Sequence, residues 1–146
     1  MRTGSARQLR RGATLLEMGI SITIMGILLA LVVPSFTRVS EQSRVDAAAQ
    51  YLRSIWCAER IYWLENRAFT DSLATLNNMG LIDAKLLAPT GGFTYALSDV
   101  DSTEFTVSAQ RTGSGSWTGT LQIKQDGEVT GFIADGGGAV LTPPDF

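Results

Sequence analysis

Few residues of this chain have side chains suited to catalysis or to holding a metal. Its 146 residues include no histidine and one cysteine. An intramolecular disulfide is therefore excluded, and so are nucleophile–base pairs that depend on histidine. Basic residues number 12 and acidic residues 14, whereas binding to phosphate backbones relies on a basic excess. We expect no enzymatic activity, no cofactor and no nucleic-acid partner.

The residue whose position most needs a chemical explanation is Glu17. It is the one ionisable residue in the apolar stretch 13–36, which directly follows Arg10 and Arg11. An acid at the centre of a membrane span costs about 2.5 to 3.5 kcal/mol, and less toward an end. A partner would offset that cost. An acid in the first turn of a helix is also favourable by about 0.3 to 1 kcal/mol, and the two explanations are compatible.

A second acidic group occurs in the segment "DVDSTE", where Asp99, Asp101 and Glu104 offer oxygen ligands of the kind that calcium binds. The segment lacks the twelve-residue calcium loop with its central glycine and terminal glutamate. An Asp-rich turn is the more economical interpretation. Calcium is the one cation that these residues suggest, and we otherwise expect no metal.

The apolar stretch determines the predicted topology of the chain. Residues 13–36 are long enough to cross a bilayer, which takes about 20 residues in a helix. The arginines before the stretch favour a cytoplasmic N-terminus, with the rest of the chain outside. A cleaved secretory signal is the alternative, but "AAA" at 47–49 lies well beyond the apolar stretch and past several charges.

A helical period continues beyond the apolar stretch. Apolar residues recur at spacings of three and four through Val45, Leu52 and Ile55, with an interruption at Glu59. We predict one long helix from about 13 to about 64, apolar all round in its first half and amphipathic in its second. A short helix is expected at 72–78.

The pattern then changes to period two, which is typical of strands. The segments "FTYAL", "FTVSA" and "WTGTLQI" each alternate in this way, and a fourth strand is predicted at 128–133 after the hairpin signal Asp126-Gly127. The predicted fold class is α+β: the long helix packs its amphipathic half on a four-stranded antiparallel sheet. The tail "DGGGAVLTPPDF" is predicted to be an irregular loop.

Most of the remaining conspicuous side chains are expected to belong to the core. The aromatic residues of the helix and strands would lie between those two layers. Cys57 is expected to be a small buried hydrophobic residue, with an intersubunit disulfide or a lipid attachment as the alternatives. Charge divides along the chain, because residues 37–70 hold five arginines and four acids while residues 71–146 hold three basic residues and nine acids. In an assembly, this division would bring a helix face of mixed charge against acidic neighbours.

The N-terminal stretch "RRGATLLEMGISITIMGILLALVVPSF" resembles that of the type IV pilins and the pseudopilins of type II secretion and competence systems. In that family a short basic leader ends in glycine and is cleaved, and an apolar helix with an early glutamate follows. The resemblance implies a leader at 1–12, cleavage between Gly12 and Ala13, and N-methylation of Ala13. It further implies that Glu17 pairs with the Ala13 amine of a neighbouring subunit. The family most often has Phe at the first mature position, where this chain has Ala13.

Two further positions match the family pattern. Gly26 and Pro34 fall where the family commonly has helix-softening residues, and proline removes a backbone N–H and crowds the preceding turn. The domain organisation implied is a leader at 1–12, a transmembrane and filament-core helix at 13–36, the amphipathic half of the helix at 37–70, and a connecting segment, sheet and C-terminal loop at 71–146.

The function implied by the resemblance is that of a structural subunit of a type IV pilus-like filament. Its partners would be other copies of the chain, the prepilin peptidase, the membrane, and an inner-membrane assembly platform with a cytoplasmic ATPase. The precursor would reside in the inner membrane and the product in a periplasmic or extracellular filament. Two alternatives stay open: a pseudopilin, and a membrane-anchored binding module that does not polymerise.

Overall fold

The computed structural model describes residues 14–113 and 115–144, with residues 31–35 described by their backbone alone. The chain divides into two compact units, Met1–Arg38 and Val39–Phe146. The first unit contains the apolar part of the long helix, and the second contains the amphipathic part together with the strands of the described residues.

The long helix α1 is Leu15–Asn66, as the helical period predicted to within two residues at its C-terminal end. Thr14 forms the N-cap, because its hydroxyl accepts a hydrogen bond from the Glu17 backbone N–H at 3.3 Å. At the other end Arg67 takes a left-handed conformation with φ 56°, and its N–H donates to the Trp63 carbonyl at 2.8 Å. A left-handed residue directly after the last turn is a common way for a helix to stop.

The connection from helix to sheet contains two short helical segments. α2 is Leu73–Asn78, and the Ser72 side chain at its N-cap accepts a hydrogen bond from the Thr75 N–H. The short helix predicted at 72–78 is thereby confirmed. A 3₁₀ helix follows at Ala84–Leu87, where the Asp83 carboxylate caps the Lys85 N–H.

The sheet is antiparallel and has five strands in chain order. They are β1 (Phe93–Ser98), β2 (Thr106–Arg111), β3 (Trp117–Lys124), β4 (Val129–Asp135) and β5 (Val140–Leu141). The prediction of four strands with an irregular tail was wrong by one strand. The glycines at 136–138 turn the chain back, Gly138 with φ 88°, and Leu141 is then buried beside Ile133. A two-residue strand is too short to show a period-two pattern.

The core lies between the amphipathic part of α1 and one face of the sheet. Its helix residues recur at the spacing of one helical face, and its strand residues alternate with outward-facing ones, as in β1 and β2. The members are Val45, Ala48, Leu52, Ile55 and Ala58 from α1, Leu76, Ile82 and Leu86 from the connection, Phe105 directly before β2, and Phe93, Tyr95, Val107, Ala109, Leu121, Ile123, Ile133 and Leu141 from the strands. This is the α+β arrangement that the sequence predicted.

The expectation for Cys57 was wrong, because the thiol is exposed. Cys57 follows the buried Ile55 by two positions, and two positions rotate a side chain by about 200° around a helix. The core aromatics were better predicted: Phe93, Tyr95 and Phe105 are buried, and Trp56, Tyr62 and Trp117 pack against the core while partly exposed. Trp63, also predicted to lie in the core, is partly exposed and does not belong to it.

Candidate assembly site

The most unusual surface of the described residues is the first half of α1. Every described side chain from 14 to 30 is exposed. Large apolar side chains in the first unit are between 52% and 94% exposed: Leu15, Leu16, Met18, Ile20, Ile22, Ile24, Met25, Ile27, Leu28, Leu29 and Phe36. Soluble monomers rarely expose apolar patches this continuous, and such patches mark sites that contact a partner or a membrane.

The polar side chains within this apolar surface bond to the helix itself. The Ser21 hydroxyl donates to the Glu17 carbonyl at 2.8 Å, and the Thr23 hydroxyl donates to the Gly19 carbonyl at 2.8 Å. Hydroxyls that bond to the carbonyl four residues earlier leave their donor satisfied without water or a partner. The surface that α1 presents here is therefore apolar except at Glu17.

Glu17 lies in the first turn of α1 and is exposed. With Thr14 at the N-cap, its sequence position is that of the acid in a capping box. The dipole of the helix favours a negative charge in this turn. The structure thus supports the helix-end explanation of Glu17. The predicted processing positions Gly12 and Ala13 lie outside the described residues.

The two positions predicted to soften the helix lie within α1, whose assignment is continuous through Gly26 and Pro34. A Cβ placed on Gly26 would meet no atom within 4 Å, so no contact among the described residues explains why this position is glycine. Among the described residues, no helix combines the length and hydropathy that a membrane crossing requires.

The acidic residues considered for calcium form a turn that is closed by Asp101. Its Oδ1 accepts hydrogen bonds from the Thr103 N–H, the Thr103 hydroxyl and the Glu104 N–H, at 2.6 to 2.9 Å. These bonds lower the pKa of Asp101. Within residues 14–113 and 115–144, no three His, Cys, Asp or Glu side chains cluster closely enough to hold a metal ion.

The second unit contains a buried ion pair that the sequence analysis did not predict. The Arg111 side chain is 5% exposed and that of Glu41 is 11% exposed, and the guanidinium approaches both carboxylate oxygens at 3.2 Å. Arg111 also donates to the Gly92 carbonyl at 2.8 Å. This pair connects α1 to the end of β2. Its members are 70 positions apart, so no local pattern could have indicated it.

A second buried charge, Glu59, did have a signal in the sequence, because it interrupts the apolar period of α1. The side chain is fully buried, and its Oε2 accepts a hydrogen bond from the Thr70 N–H at 3.1 Å. Burial raises the pKa of Glu59 to about 7, which the Thr70 bond partly opposes. Oε1 has no hydrogen-bond partner in the described part of the chain. Glu59 thereby holds the segment after α1 against the helix.

A groove lies beside that segment, at the C-terminal end of α1. Its volume is about 390 Å³, and it is lined by Arg60, Trp63, Leu64, Phe69, Ser102 and Thr103. Phe69 stacks on Trp63 with ring centroids 6.3 Å apart and contacts Phe105 in the core at 4.6 Å. Arg60 lies over the Trp56 ring, and Arg67 over the Trp63 ring, each at 5.2 Å. The groove therefore has an aromatic floor and a guanidinium at its side.

Together these features form a pilin-like α+β arrangement: a long helix whose first part exposes apolar side chains and whose second part packs on an antiparallel sheet. Over 71 residues, or 49% of its length, the chain is 30% identical to the type IV major pilin protein PilA of Myxococcus xanthus (strain DK1622). The chain spans about a third of that relative, 32%. No family model matches the chain.

Proposed function

We propose that this protein is a structural subunit of a type IV pilus-like filament and has no enzymatic role. The observation that carries the proposal is the continuous apolar surface that residues 15–30 of α1 expose, since an apolar helix of this kind is stable only in lipid or against other helices. The similarity to a type IV pilin gives independent support.

In the proposed pathway, residues 13–36 first hold the precursor in the inner membrane with its N-terminus in the cytoplasm. A prepilin peptidase then cleaves between Gly12 and Ala13, and Ala13 is N-methylated. An assembly platform with a cytoplasmic ATPase transfers the subunit into the filament, where apolar helices pack together. Gly26 and Pro34 would soften the helix during this transfer. The filament is then periplasmic or extracellular.

Glu17 is proposed to pair with the Ala13 amine of the neighbouring copy. Cleavage would create this amine about one helical turn before Glu17. The self-bonded hydroxyls of Ser21 and Thr23 leave Glu17 as the polar group available to set register in the apolar surface. An unpaired acid in such surroundings is unfavourable, so a subunit arriving out of register would be less stable in the filament.

Mass spectrometry of the protein purified from its host tests the processing step. We expect an N-terminal peptide that begins at Ala13 and carries a methyl group on its amine. A chain that still begins at Met1, or one that begins near residue 49, would overturn the proposal. A rise in the melting temperature of the full chain on adding calcium would instead favour the pseudopilin alternative.

A Glu17→Ala variant tests the pairing step, with Glu65→Ala as a matched control because both acids are exposed residues of α1. We expect Glu17→Ala to reduce the amount of sedimentable filaments by about tenfold or more, because the amine of the neighbouring copy would be left unpaired in apolar surroundings. Glu65→Ala should leave them unchanged. Glu17→Gln keeps the side-chain shape, so an equal loss in that variant would assign the effect to charge. Normal filaments from both Glu17 variants would exclude the pairing.

A further inference from the structure

The groove at the end of α1 has the composition of a binding site for an aromatic, anionic segment. Trp63, Leu64 and Phe69 give it an apolar floor, and the hydroxyl-bearing Ser102 and Thr103 lie among its lining. A contact between two aromatic rings is favourable by about 0.5 to 1.5 kcal/mol in addition to the free energy of burying their apolar surface. All of these residues belong to the second unit.

The charged residue of the groove lining is Arg60, and it forms no ion pair within the described residues. No carboxylate of residues 14–113 or 115–144 lies within 4.0 Å of the Arg60 or Arg67 guanidinium. Four acids directly adjoin lining residues in sequence: Glu59, Glu65, Asp101 and Glu104. Glu59 is buried with its Oε2 bound to the Thr70 N–H, and Asp101 has its Oδ1 occupied by three donors. An incoming carboxylate beside Arg60 would therefore find an available guanidinium, and Arg is the cation best suited to bind it.

Residues 1–13 and 145–146 lie outside the described residues, and their charge distinguishes them as occupants. Residues 1–13 contain four arginines and no acid, so they would be repelled by Arg60. Residues 145–146 are Asp145 and Phe146, which supply an acid and an aromatic ring. They follow Pro143 and Pro144, whose fixed φ angles reduce the conformational entropy lost on docking.

Residues 145–146, the tail segment, cannot reach the groove of their own chain. The Thr142 carbonyl accepts a hydrogen bond from the Gln42 side chain at 3.1 Å, and Gln42 and Arg60 are five turns apart in α1, or roughly 27 Å. The four residues after Thr142 extend at most about 14 Å. The occupant must then come from a second copy. Such a contact joins two different surfaces and generates an open polymer when it repeats without closing.

We propose that residues 145–146 of one copy dock in the groove of the next copy. The Asp145 carboxylate pairs with the Arg60 guanidinium, and the Phe146 ring packs against Trp63 and Phe69. This inference rests on the proposed function, because it names a contact between the folded units of neighbouring filament subunits. It adds a head-to-tail contact to the packing of the apolar helices.

Binding of a peptide to the detergent-solubilised full chain tests the contact without any filament. The probe is a fluorescein-labelled peptide of residues 140–146 with a blocked C-terminus, so that Asp145 supplies its charge. We expect saturable binding in fluorescence anisotropy. Replacing Phe146 by Ala in the peptide should weaken binding by about tenfold or more, the effect of losing a buried aromatic side chain. Replacing Asp145 by Asn should weaken it by several fold.

The protein supplies a matched pair of variants for the same assay. Arg60 and Arg44 are both arginines of α1, but Arg60 lines the groove and Arg44 lies more than four turns earlier in the helix. Arg60→Gln should weaken binding by several fold, whereas Arg44→Gln should leave it within twofold. Equal binding of a peptide with the same residues in scrambled order, or equal loss in both arginine variants, would overturn the proposed site.

Cross-linking in filaments tests the head-to-tail geometry. The variant carries Ser102→Cys in the groove lining and Pro144→Cys directly before the docking residues, in a Cys57→Ser background, so that Asp145, Phe146 and the aromatic floor are kept. Oxidation should give a ladder of covalent multimers, because each copy has one groove and one tail. Filaments that yield no ladder would overturn the contact and leave the proposed function intact. Absence of filaments in the wild type, with the peptide still bound, would overturn the proposed function and leave the site intact.

Discussion

The two units of this chain differ in the exposure of their apolar side chains. In the second unit, Leu52, Ile55 and Phe105 are at most 1% exposed, whereas in the first unit Leu15 is 94% and Ile24 is 54% exposed. The second unit has a sheet against which its helix can bury a face, and the described part of the first unit is helix alone. Stability in the second unit is therefore a property of one copy. We expect the first unit to be stabilised by lipid or by other copies.

Among the substitutions that test this difference between the units, Phe105→Ala is expected to have the largest effect on the free energy of unfolding. Phe105 is buried in the core and contacts Phe69 with ring centroids 4.6 Å apart. Its removal should lower the free energy of unfolding by about 3 to 5 kcal/mol. Tryptophan fluorescence during thermal unfolding measures this well, since Trp56, Trp63 and Trp117 all belong to the second unit.

Ile24→Ala in the first unit is the control for that measurement. It deletes an exposed apolar side chain, so the transition seen by tryptophan fluorescence should not shift. Filament yield should fall instead, because the same side chain would be buried only in the assembled state. A large shift of the tryptophan transition in Ile24→Ala would contradict the assignment of stability to separate units.

Arg111→Met should have the next largest effect. The Glu41 side chain is 11% exposed. After the substitution its carboxylate keeps one ion pair among the described residues, from Oε1 to the Arg44 Nη1 at 2.8 Å. Removal of one partner of a buried pair costs about 3 kcal/mol or more. Arg44→Met is the matched control and should cost less than about 1 kcal/mol, since the Arg44 side chain is 48% exposed. A Glu41→Leu/Arg111→Met double variant should recover much of the loss, and chemical denaturation gives all four values.

Glu59 should make the stability of the second unit depend on pH. Its pKa is raised from 4.5 to about 7 in the folded state, so the folded chain holds the proton more tightly than the unfolded chain does. Protonation is then stabilising, and stability should fall by about 3 kcal/mol as pH rises from 4.5 to above 7. In Glu59→Gln this dependence should disappear. Glu65→Gln, at an exposed acid of the same helix, should retain it, and a wild-type stability that rises over this interval would contradict the assignment.

Patterns confined to one element predicted most of the fold. The period of α1 gave its extent, and the alternation in β1 to β3 gave their inward faces. β5 was missed because two residues cannot show a period. The Glu41–Arg111 pair and the groove depend on contacts between distant segments, which local spacing does not encode. Glu59 was visible as an interruption of the apolar period, but its burial depends on the segment that follows the helix.

The smallest effect on stability is expected from Cys57→Ser. The thiol is exposed on α1, so the substitution should change the free energy of unfolding by less than about 0.5 kcal/mol. In the monomer, maleimide should label Cys57 as fast as it labels the unfolded chain. Cys57 lies three positions before Arg60, on a neighbouring part of the helix surface. If the tail of another copy docks beside Arg60, labelling in filaments should be slower than in monomers. Equal labelling rates would show that this part of the second unit is exposed to solvent in the filament and would contradict the docked tail. Only the first unit would then become buried on assembly.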